Sequence, residues 1–280
     1  MTGAALHADW LIPDWPAPPG VRAVFTTRAG GVSAAPYDSL NLGSHVGDKP
    51  ESVAANRTLL AQATGTQAVF LNQVHGTAVQ LLNAATPDGL RADACVTLQR
   101  RLACTIMVAD CLPVLLATAD GRAVGAAHAG WRGLAGTDEP GGQGVLETLA
   151  AALRAAAPEP DGVGLAAPAG LDIMAWLGPC IGPGAFEVGP EVKAAFELAQ
   201  SGAAACFVPA GAGKYLANLP ALARLRLQAL GITRVYGNDG SAPWCTVSHS
   251  SRFFSHRRDA SVPGNGFGTT GRMAACIWLD

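Results

Sequence analysis

One stretch of the chain constrains the fold more than any other. Residues 103–118 (ACTIMVADCLPVLLAT) are almost continuously apolar, and Asp110 is the single charged residue among them. Such a run is typical of a strand that is covered on both faces. The dipeptide Asp120-Gly121 follows, which is a strong hairpin turn signal. Residues 122–128 (RAVGAAH) are therefore predicted to form the return strand of a hairpin.

The register of this hairpin predicts a meeting of two reactive side chains. With Asp120-Gly121 as the two turn residues, His128 lies opposite Pro113. Cys111 precedes Pro113 by two residues and points to the same face. Diagonal neighbours in such a ladder are about 7–8 Å apart. We therefore expect the thiol of Cys111 and the imidazole of His128 to converge.

A cysteine beside a histidine has two chemical interpretations, namely two ligands of a zinc ion or a nucleophile with its base. A third side chain would decide between them. His75, in the segment NQVHG at 72–76 between two short predicted strands, is the best placed of the other histidines, because loop ends often carry ligands. Two histidines and one cysteine leave the fourth tetrahedral position open, as in catalytic zinc sites. The spacing alone does not specify a reaction.

The composition excludes several classes of partner. Of the 280 residues, 49% are hydrophobic and 14% charged, so an ordinary core can form without disulfides or a structural metal. The 19 Lys and Arg against 21 Asp and Glu give a formal net charge of −2, which offers no electrostatic basis for binding nucleic acid or an anionic membrane. We expect neither kind of partner.

The cysteines and the start of the chain indicate a cytoplasmic protein. Seven cysteines is an odd number and none forms a CxxC pair, so we expect no disulfide framework. Buried packing is the default for each of them, and Cys111 is the expected exception. Residues 1–15 lack the basic segment and apolar core of a leader peptide, and no window of the sequence resembles a membrane-spanning helix.

The rest of the sequence predicts one compact α/β or α+β domain, because strand-like and helix-like stretches alternate without a repeat or linker. Helices are predicted at 50–64, 145–157, 190–200 and 216–230. Strands outside the hairpin are predicted at 21–27, 68–71, 77–82, 92–98, 173–177 and 272–278. The last strand is expected to pair within a sheet.

Many short motifs of the chain resemble one known family. They follow one another in order between residues 22 and 278: TTRAGGVS (26–33), YDSLNLG (37–43), HVGD (45–48), NQVHG (72–76), ADA (92–94), VADCLPVLL (108–116), AHAGWRG (127–133), GPCIG (178–182), FEVG (186–189), FFSHRRD (253–259) and TGRM (270–273). They are similar to the motifs of the YfiH-type purine nucleoside phosphorylases, formerly labelled polyphenol oxidases or laccase domains.

The resemblance implies one zinc ion per chain, bound by the histidine of VHG, the cysteine of ADC and the first histidine of HAGWRG, which are His75, Cys111 and His128. It implies phosphorolysis of adenosine, inosine and S-methyl-5′-thioadenosine with phosphate as co-substrate, together with hydrolytic deamination of adenosine. The implied fold is a mixed α/β, single-domain α/β/β/α layered sandwich spanning residues 1–280, similar to cysteine hydrolases of the toxin type. Residues 1–20 would form an N-terminal extension packed on it, and the assembly would be a monomer or small homo-oligomer.

Four further residues are expected to contact the nucleoside or phosphate. Arg28 follows a predicted strand and precedes a Gly-Gly turn, and Arg132 lies four residues beyond His128; a guanidinium fork matches phosphate oxygens. Asn41 and His45 would hydrogen-bond the ribose or base. The chain departs from the family pattern at residues 137–143 and 261–268, which lengthen two loops.

The main alternative is a Cys-His hydrolase or amidase that edits peptidoglycan precursors, with Cys111 as nucleophile and His128 as base. Multicopper oxidation is disfavoured, because the six histidines include no HxH pair. A zinc-stabilised binding module without activity would require a closed fourth ligand position.

Overall fold

The computed structural model describes residues 5–136, 142–157, 172–259 and 269–280, which form a single mixed α/β domain. The strands are β1 Val21–Phe25, β2 Gln67–Phe70, β3 Val79–Leu81, β4 Ala94–Thr97, β5 Leu102–Val108, β6 Leu112–Thr118, β7 Val124–Ala129, β8 Ile173–Leu177, β9 Glu187–Val188, β10 Phe207–Gly211, β11 Lys214–Ala217, β12 Arg234–Gly237 and β13 Met273–Leu279. The α-helices are α1 Pro50–Thr64, α2 Trp131–Ala135, α3 Val145–Ala156, α4 Pro190–Ala199, α5 Leu219–Ala229 and α6 His256–Asp259.

Two large sheets form the centre of the domain. One has four strands in the order β1-β13-β5-β2, and the other has six in the order β12-β8-β6-β7-β4-β3. Apolar side chains from their facing sides, such as Ile106 and Leu115, form a core between the two sheets. Leu60 of α1 packs on the outer face of the four-stranded sheet. Leu149 of α3 and Leu222 of α5 belong to the cluster on the outer face of the six-stranded sheet. The layers therefore follow the order α/β/β/α.

The apolar run at 103–118 forms two strands, and the prediction of a single strand there is wrong. β5 belongs to the four-stranded sheet and β6 to the six-stranded one. The chain crosses between the sheets at residues 109–111, where Asp110 has a φ of 92°. Both strands are wholly buried, because each sheet is covered on both sides. This burial explains why the sequence is apolar on either side of Asp110 and conceals the break.

The predicted hairpin register is confirmed. β6 and β7 are antiparallel, and Pro113 pairs with His128. The predicted helix at 50–64 and the predicted strand at 173–177 coincide with α1 and β8. β13 pairs with both β1 and β5, so the last strand lies inside its sheet as expected.

The segment before β1 packs against the four-stranded sheet. Leu11 forms a bridge with Phe25 of β1, and Trp10 is buried beside the α1 layer.

No helix in the described ranges is long and apolar enough to cross a membrane. The loop insertion at 261–268 lies outside the described residues, as does the insertion at 137–143 apart from its last two positions. The likeness to cysteine hydrolases remains a prediction.

Candidate metal centre

A buried carboxylate holds the loop that carries His75. Asp93, which is wholly buried immediately before β4, accepts hydrogen bonds from the backbone N–H groups of Val74 (3.1 Å), His75 (2.8 Å) and Gly76 (2.8 Å). Three donors on one carboxylate curl the loop tightly, and His75 adopts a positive φ of 63°, a region that few side chains occupy. Gln73 adds a second anchor, since its amide exchanges two hydrogen bonds with the backbone of Met107 in β5.

The same carboxylate orients His128. Its Oδ1 lies 2.8 Å from Nδ1 of His128, and the N–H of His128 donates to the backbone carbonyl of Asp93 at 2.7 Å. A hydrogen bond from Nδ1 to a carboxylate leaves Nε2 as the nitrogen available to a metal or a proton. Asp93 therefore positions both histidines of the predicted site.

Cys111 lies on the crossover between the two sheets. Its neighbour Asp110 accepts hydrogen bonds from the hydroxyls of Thr246 and Ser255 and from the N–H of Arg257. These contacts fix the crossover and cap the short helix α6, so Asp110 holds the backbone beside Cys111 in place. The sulfur of Cys111 points away from this network to the histidines.

The three predicted ligands converge. One ligand atom each from His75, Cys111 and His128 lies within 4.8 Å of the other two, and Cys111 Sγ is 3.6 Å from His75 Nε2. The two imidazole rings meet edge to face with centroids 4.7 Å apart. His128 is buried, Cys111 half-buried and His75 exposed. One side of the cluster is thus open to the pocket, and this is the only such trio in the parts of the chain that the structure describes.

In the absence of a metal, the electrostatics of the trio favour an ion pair. Burial raises the pKa of the Cys111 thiol, but the charge and hydrogen bonds of His128 and the bond with His75 outweigh it and lower that pKa to about 6. Burial lowers the pKa of His128, but Cys111 and Asp93 outweigh it and raise that pKa to about 9. The site is built to hold a thiolate.

A pocket of about 300 Å³ opens above the trio. His75, Cys111 and His128 form one part of the pocket wall. Aromatic and cationic side chains surround them; these are His45, Trp131, Arg132, Phe186, Arg257 and Arg272. An apolar and aromatic lining with a few convergent polar groups is typical of a small-molecule site.

The structure brings two of the four other predicted site residues to this pocket. His45 and Arg132 line it. Arg28 does not line it, because its guanidinium is paired with the Asp38 carboxylate at 3.1 Å and bonds the Ser250 carbonyl. Asn41 does not line it either, since its buried amide is occupied by Gly43, Asp48 and the N–H of Arg272. The expected contacts of Arg28 and Asn41 with substrate therefore have no support in the geometry.

Sequence reasoning did not single out Asp93 or Arg272. Both stand in motifs that carried the family resemblance, ADA and TGRM. An acidic residue at the edge of an apolar strand is expected to be buried and to require hydrogen-bond partners. The position of Asp93 directly before such a strand could therefore have indicated its role. Arg272 directly precedes β13, but only the order of strands in the sheet shows what it faces.

Gly130 is required by the close packing of the trio, which yields a testable prediction. A Cβ at this position would lie 2.6 Å from Cδ2 of His75 and 3.2 Å from Sγ of Cys111, although the backbone φ of −68° accepts any residue. We expect Gly130→Ala to displace the His75 ring and to weaken metal binding at least about tenfold, measured with zinc as the probe ion in competition with a chromogenic chelator. Gly184→Ala, where a Cβ meets nothing within 4 Å, is the control. Equal zinc affinity in both variants would contradict the prediction.

Comparison with known proteins places the chain in a family. A family profile described as multi-copper polyphenol oxidoreductase laccase matches residues 22–280. The purine nucleoside phosphorylase PA4543 of Pseudomonas aeruginosa is 46% identical over 97% of this chain and 98% of its own length. The chain belongs to the YfiH-type purine nucleoside phosphorylase family. The resemblance noted in the sequence motifs is thereby confirmed.

Two further relatives agree with this assignment. The purine nucleoside phosphorylase YfiH of Escherichia coli is 44% identical over 96% of this chain and 98% of its own. The crystal structure of protein NMB0706 from Neisseria meningitidis is 45% identical and superimposes with a TM-score of 0.79, covering 97% of this chain and 99% of that one. Since these alignments cover nearly the whole length of both chains, the likeness extends over the whole fold.

Proposed function

We propose that this chain is a zinc-dependent purine nucleoside phosphorylase that acts on adenosine, inosine and S-methyl-5′-thioadenosine, with adenosine deamination as a second activity. The observation that carries the proposal is the trio of His75, Cys111 and His128 at the wall of a pocket large enough for a nucleoside. The names of the relatives supply the reaction class. The proposal includes phosphate as the co-substrate.

The residues present fit a zinc ion. Two imidazoles and one thiolate are ordinary zinc ligands, and three protein ligands with an open side are typical of catalytic sites. The contact between Asp93 and Nδ1 of His128 is the carboxylate–histidine arrangement that commonly supports a ligating imidazole. When bound, zinc would supply a positive charge that polarises an oxygen of water or phosphate.

The pocket side chains fit the other requirements of phosphorolysis. The bond between C1′ of the sugar and the purine nitrogen must break while a phosphate oxygen bonds C1′, and the departing base must receive a proton. Trp131 and Phe186 line the pocket and can make aromatic contacts with a purine ring. Burial and the nearby Arg272, Arg57 and His128 lower the pKa of His45, so His45 is neutral at neutral pH and can donate one hydrogen bond and accept another.

One chromatogram tests the proposed function. Purified protein with its metal is incubated with adenosine, with and without inorganic phosphate, and adenine, hypoxanthine, inosine and ribose 1-phosphate are separated. With phosphate we expect adenine, together with ribose 1-phosphate in an amount equal to adenine plus hypoxanthine, because inosine formed by deamination is itself cleaved; without phosphate we expect inosine and no free base. Absence of adenine in the presence of phosphate would reject the phosphorylase, and absence of inosine without phosphate would reject the deaminase alone.

A second candidate, a Cys-His hydrolase acting on peptidoglycan precursors, is favoured by one observation. Cys111, His128 and Asp93 form the nucleophile, base and orienting-carboxylate arrangement of cysteine hydrolases, and the pKa of Cys111 is lowered to about 6. A thiolate bound to zinc is not a free nucleophile, so the two functions require different states of the same sulfur. Stoichiometric zinc in the purified protein favours the phosphorylase.

Alkylation of Cys111 distinguishes these states and depends on pH in a defined way. Cys111 is half-buried whereas the other six cysteines are buried, so iodoacetamide should modify Cys111 selectively. In protein stripped of zinc, we expect the rate of Cys111 alkylation to fall about tenfold per pH unit below pH 6. Above pH 6 the rate should become constant, because the thiolate is the reactive form. Zinc should protect the sulfur. Equal labelling with and without zinc, read by peptide mass spectrometry, would favour the hydrolase.

A further inference from the structure

Arg272 reaches the pocket because of its position in the four-stranded sheet. β13 and β5 are antiparallel, and Met273 pairs with Val108. The residue before Met273 therefore lies beside the residue after Val108, where the chain turns into the crossover that carries Asp110 and Cys111. This register places the arginine at the edge of the metal centre.

The backbone and stem of Arg272 are held firmly. Its N–H donates to Oδ1 of Asn41 at 2.9 Å, and Asn41 is buried. Its Cγ packs against Gly43 so closely that a Cβ at position 43 would lie 2.7 Å away. Nη1 of the guanidinium donates to the carbonyls of Thr270 (2.9 Å) and Gly271 (3.2 Å). The side chain is thus prepared in one orientation before any ligand binds.

The guanidinium of Arg272 has no carboxylate partner. Within the described ranges, no acidic oxygen lies within 4.0 Å of it, whereas Arg28, Arg57 and Arg226 each pair with an acid. This half-buried cation is acted on by the negative charges of Cys111 and Asp110 but contacts no carboxylate, so an anion bound beside it would lower the cost of burying its charge. Burial lowers the pKa of Arg272, but Cys111, Asp110 and Tyr37 offset part of this effect, and the group keeps its charge.

Apart from the Cys111 thiolate, the described residues of the pocket wall carry no free negative charge. Asp110 is the only acidic residue among the lining residues of the described chain, and its two oxygens already accept three hydrogen bonds. Arg132 and Arg257 line the same pocket. The pocket therefore presents positive charge and guanidinium donors on the side of the thiolate and the imidazoles.

We infer that Arg272 binds the phosphate co-substrate through its guanidinium, beside the metal centre. The inference rests on the proposed function for the identity of the anion as a co-substrate, and it assigns to Arg272 the role that the sequence suggested for Arg28. Guanidinium groups bind phosphate oxygens through paired charge-assisted hydrogen bonds. An oxyanion held there lies next to His75, Cys111 and His128 and faces the volume left for the nucleoside.

Equilibrium binding of inorganic phosphate tests the inference without requiring turnover. The zinc-loaded protein is titrated with phosphate in a calorimeter, in a buffer free of other oxyanions. We expect Arg272→Gln to weaken phosphate binding at least about thirtyfold, and Arg272→Lys to weaken it about tenfold because it keeps the charge and loses the fork. Arg28→Gln is the matched control, since Arg28 is also half-buried and pairs with Asp38 outside the pocket.

The outcomes separate the inference from the proposed function. Zinc content and melting temperature establish that each variant is folded and loaded. If folded Arg272→Gln binds phosphate like the wild type, or if Arg28→Gln loses binding instead, the inference is overturned even when adenosine is cleaved. If the wild type binds phosphate through Arg272 and cleaves no nucleoside, the anion site stands and the phosphorylase is rejected.

Discussion

Under the proposed function, replacing Cys111 by alanine is expected to abolish zinc binding and to reduce phosphorolysis of adenosine about a thousandfold or more. The sulfur is the ligand that lies between the exposed His75 and the buried His128, and two imidazoles alone bind zinc weakly. A metal ion contributes several kcal/mol of charge stabilisation to a transition state, and about 1.4 kcal/mol corresponds to tenfold in rate. Zinc is measured by atomic emission, and the rate by release of adenine.

The control for this variant is Cys206→Ala. Cys206 is a buried cysteine in the helix-side cluster outside the pocket, so its loss changes packing without touching the trio. We expect normal zinc content and turnover from this control, with a lower melting temperature. Retention of near wild-type turnover in zinc-free Cys111→Ala would remove the metal from the chemistry.

Asp93→Asn is expected to have the second largest effect, because this carboxylate serves both histidines. An amide has one acceptor oxygen for the three N–H groups of Val74, His75 and Gly76. Its NH₂ group would also donate to Nδ1 of His128 and thereby place the proton on Nε2, the nitrogen needed for the metal. We expect zinc affinity to fall about ten- to a hundredfold, measured by chelator competition.

A matched acidic residue controls for charge and stability. Asp120→Asn changes a partly exposed carboxylate in the β6–β7 turn, where Asp120 bonds Thr118 and Arg122 away from the pocket. This variant should keep the zinc affinity of the wild type. Cobalt substitution gives an independent readout, since the thiolate-to-cobalt absorption band reports the ligand geometry. An unchanged band and affinity in Asp93→Asn would show that the carboxylate does not position the ligands.

The sequence was sufficient to predict the contact between Cys111 and His128. A two-residue turn fixes the register of a hairpin, and the twofold alternation of a strand then determines which side chains share a face. The observed loop is longer, with four residues between Thr118 and Ala123, but it is centred on Asp120-Gly121, so Pro113 still pairs with His128. His75 was chosen as third ligand from its place at a loop end, and the family resemblance implied the same residue; the Asp93 contacts that hold this loop at the site were not predicted.

The break in the apolar run was not predictable from hydrophobicity. Residues on either side of Asp110 are equally buried, because the two sheets cover each other. A strand that changes sheet has the same composition as one that continues. Asp110 itself was the signal, since a lone acidic residue inside such a run must find partners, and it does so in Thr246, Ser255 and Arg257.

The difference between Arg28 and Arg272 shows where sequence reasoning ends. Arg28 follows β1 and Arg272 precedes β13, which are both strands of the four-stranded sheet, and both arginines stand near glycines. Their local sequences are alike, but the folded structure places Arg28 against Asp38 and Arg272 at the pocket. Strand order, which depends on pairings between distant segments, decides which arginine meets the site.

The crossover at residues 109–111 has a consequence for how the protein depends on its metal supply. One ligand of the trio sits on the short link between β5 and β6, and another at the end of β7. The third sits on the loop between β2 and β3, which is bonded to Met107 of β5 and to Asp93 before β4. An ion held by all three would join both sheets, so its removal would lower the free energy of unfolding of the domain as well as the proposed activity. At a free metal concentration a thousand times the dissociation constant, binding would add about 4 kcal/mol to that free energy, and the metal-free protein would be more open to proteolysis.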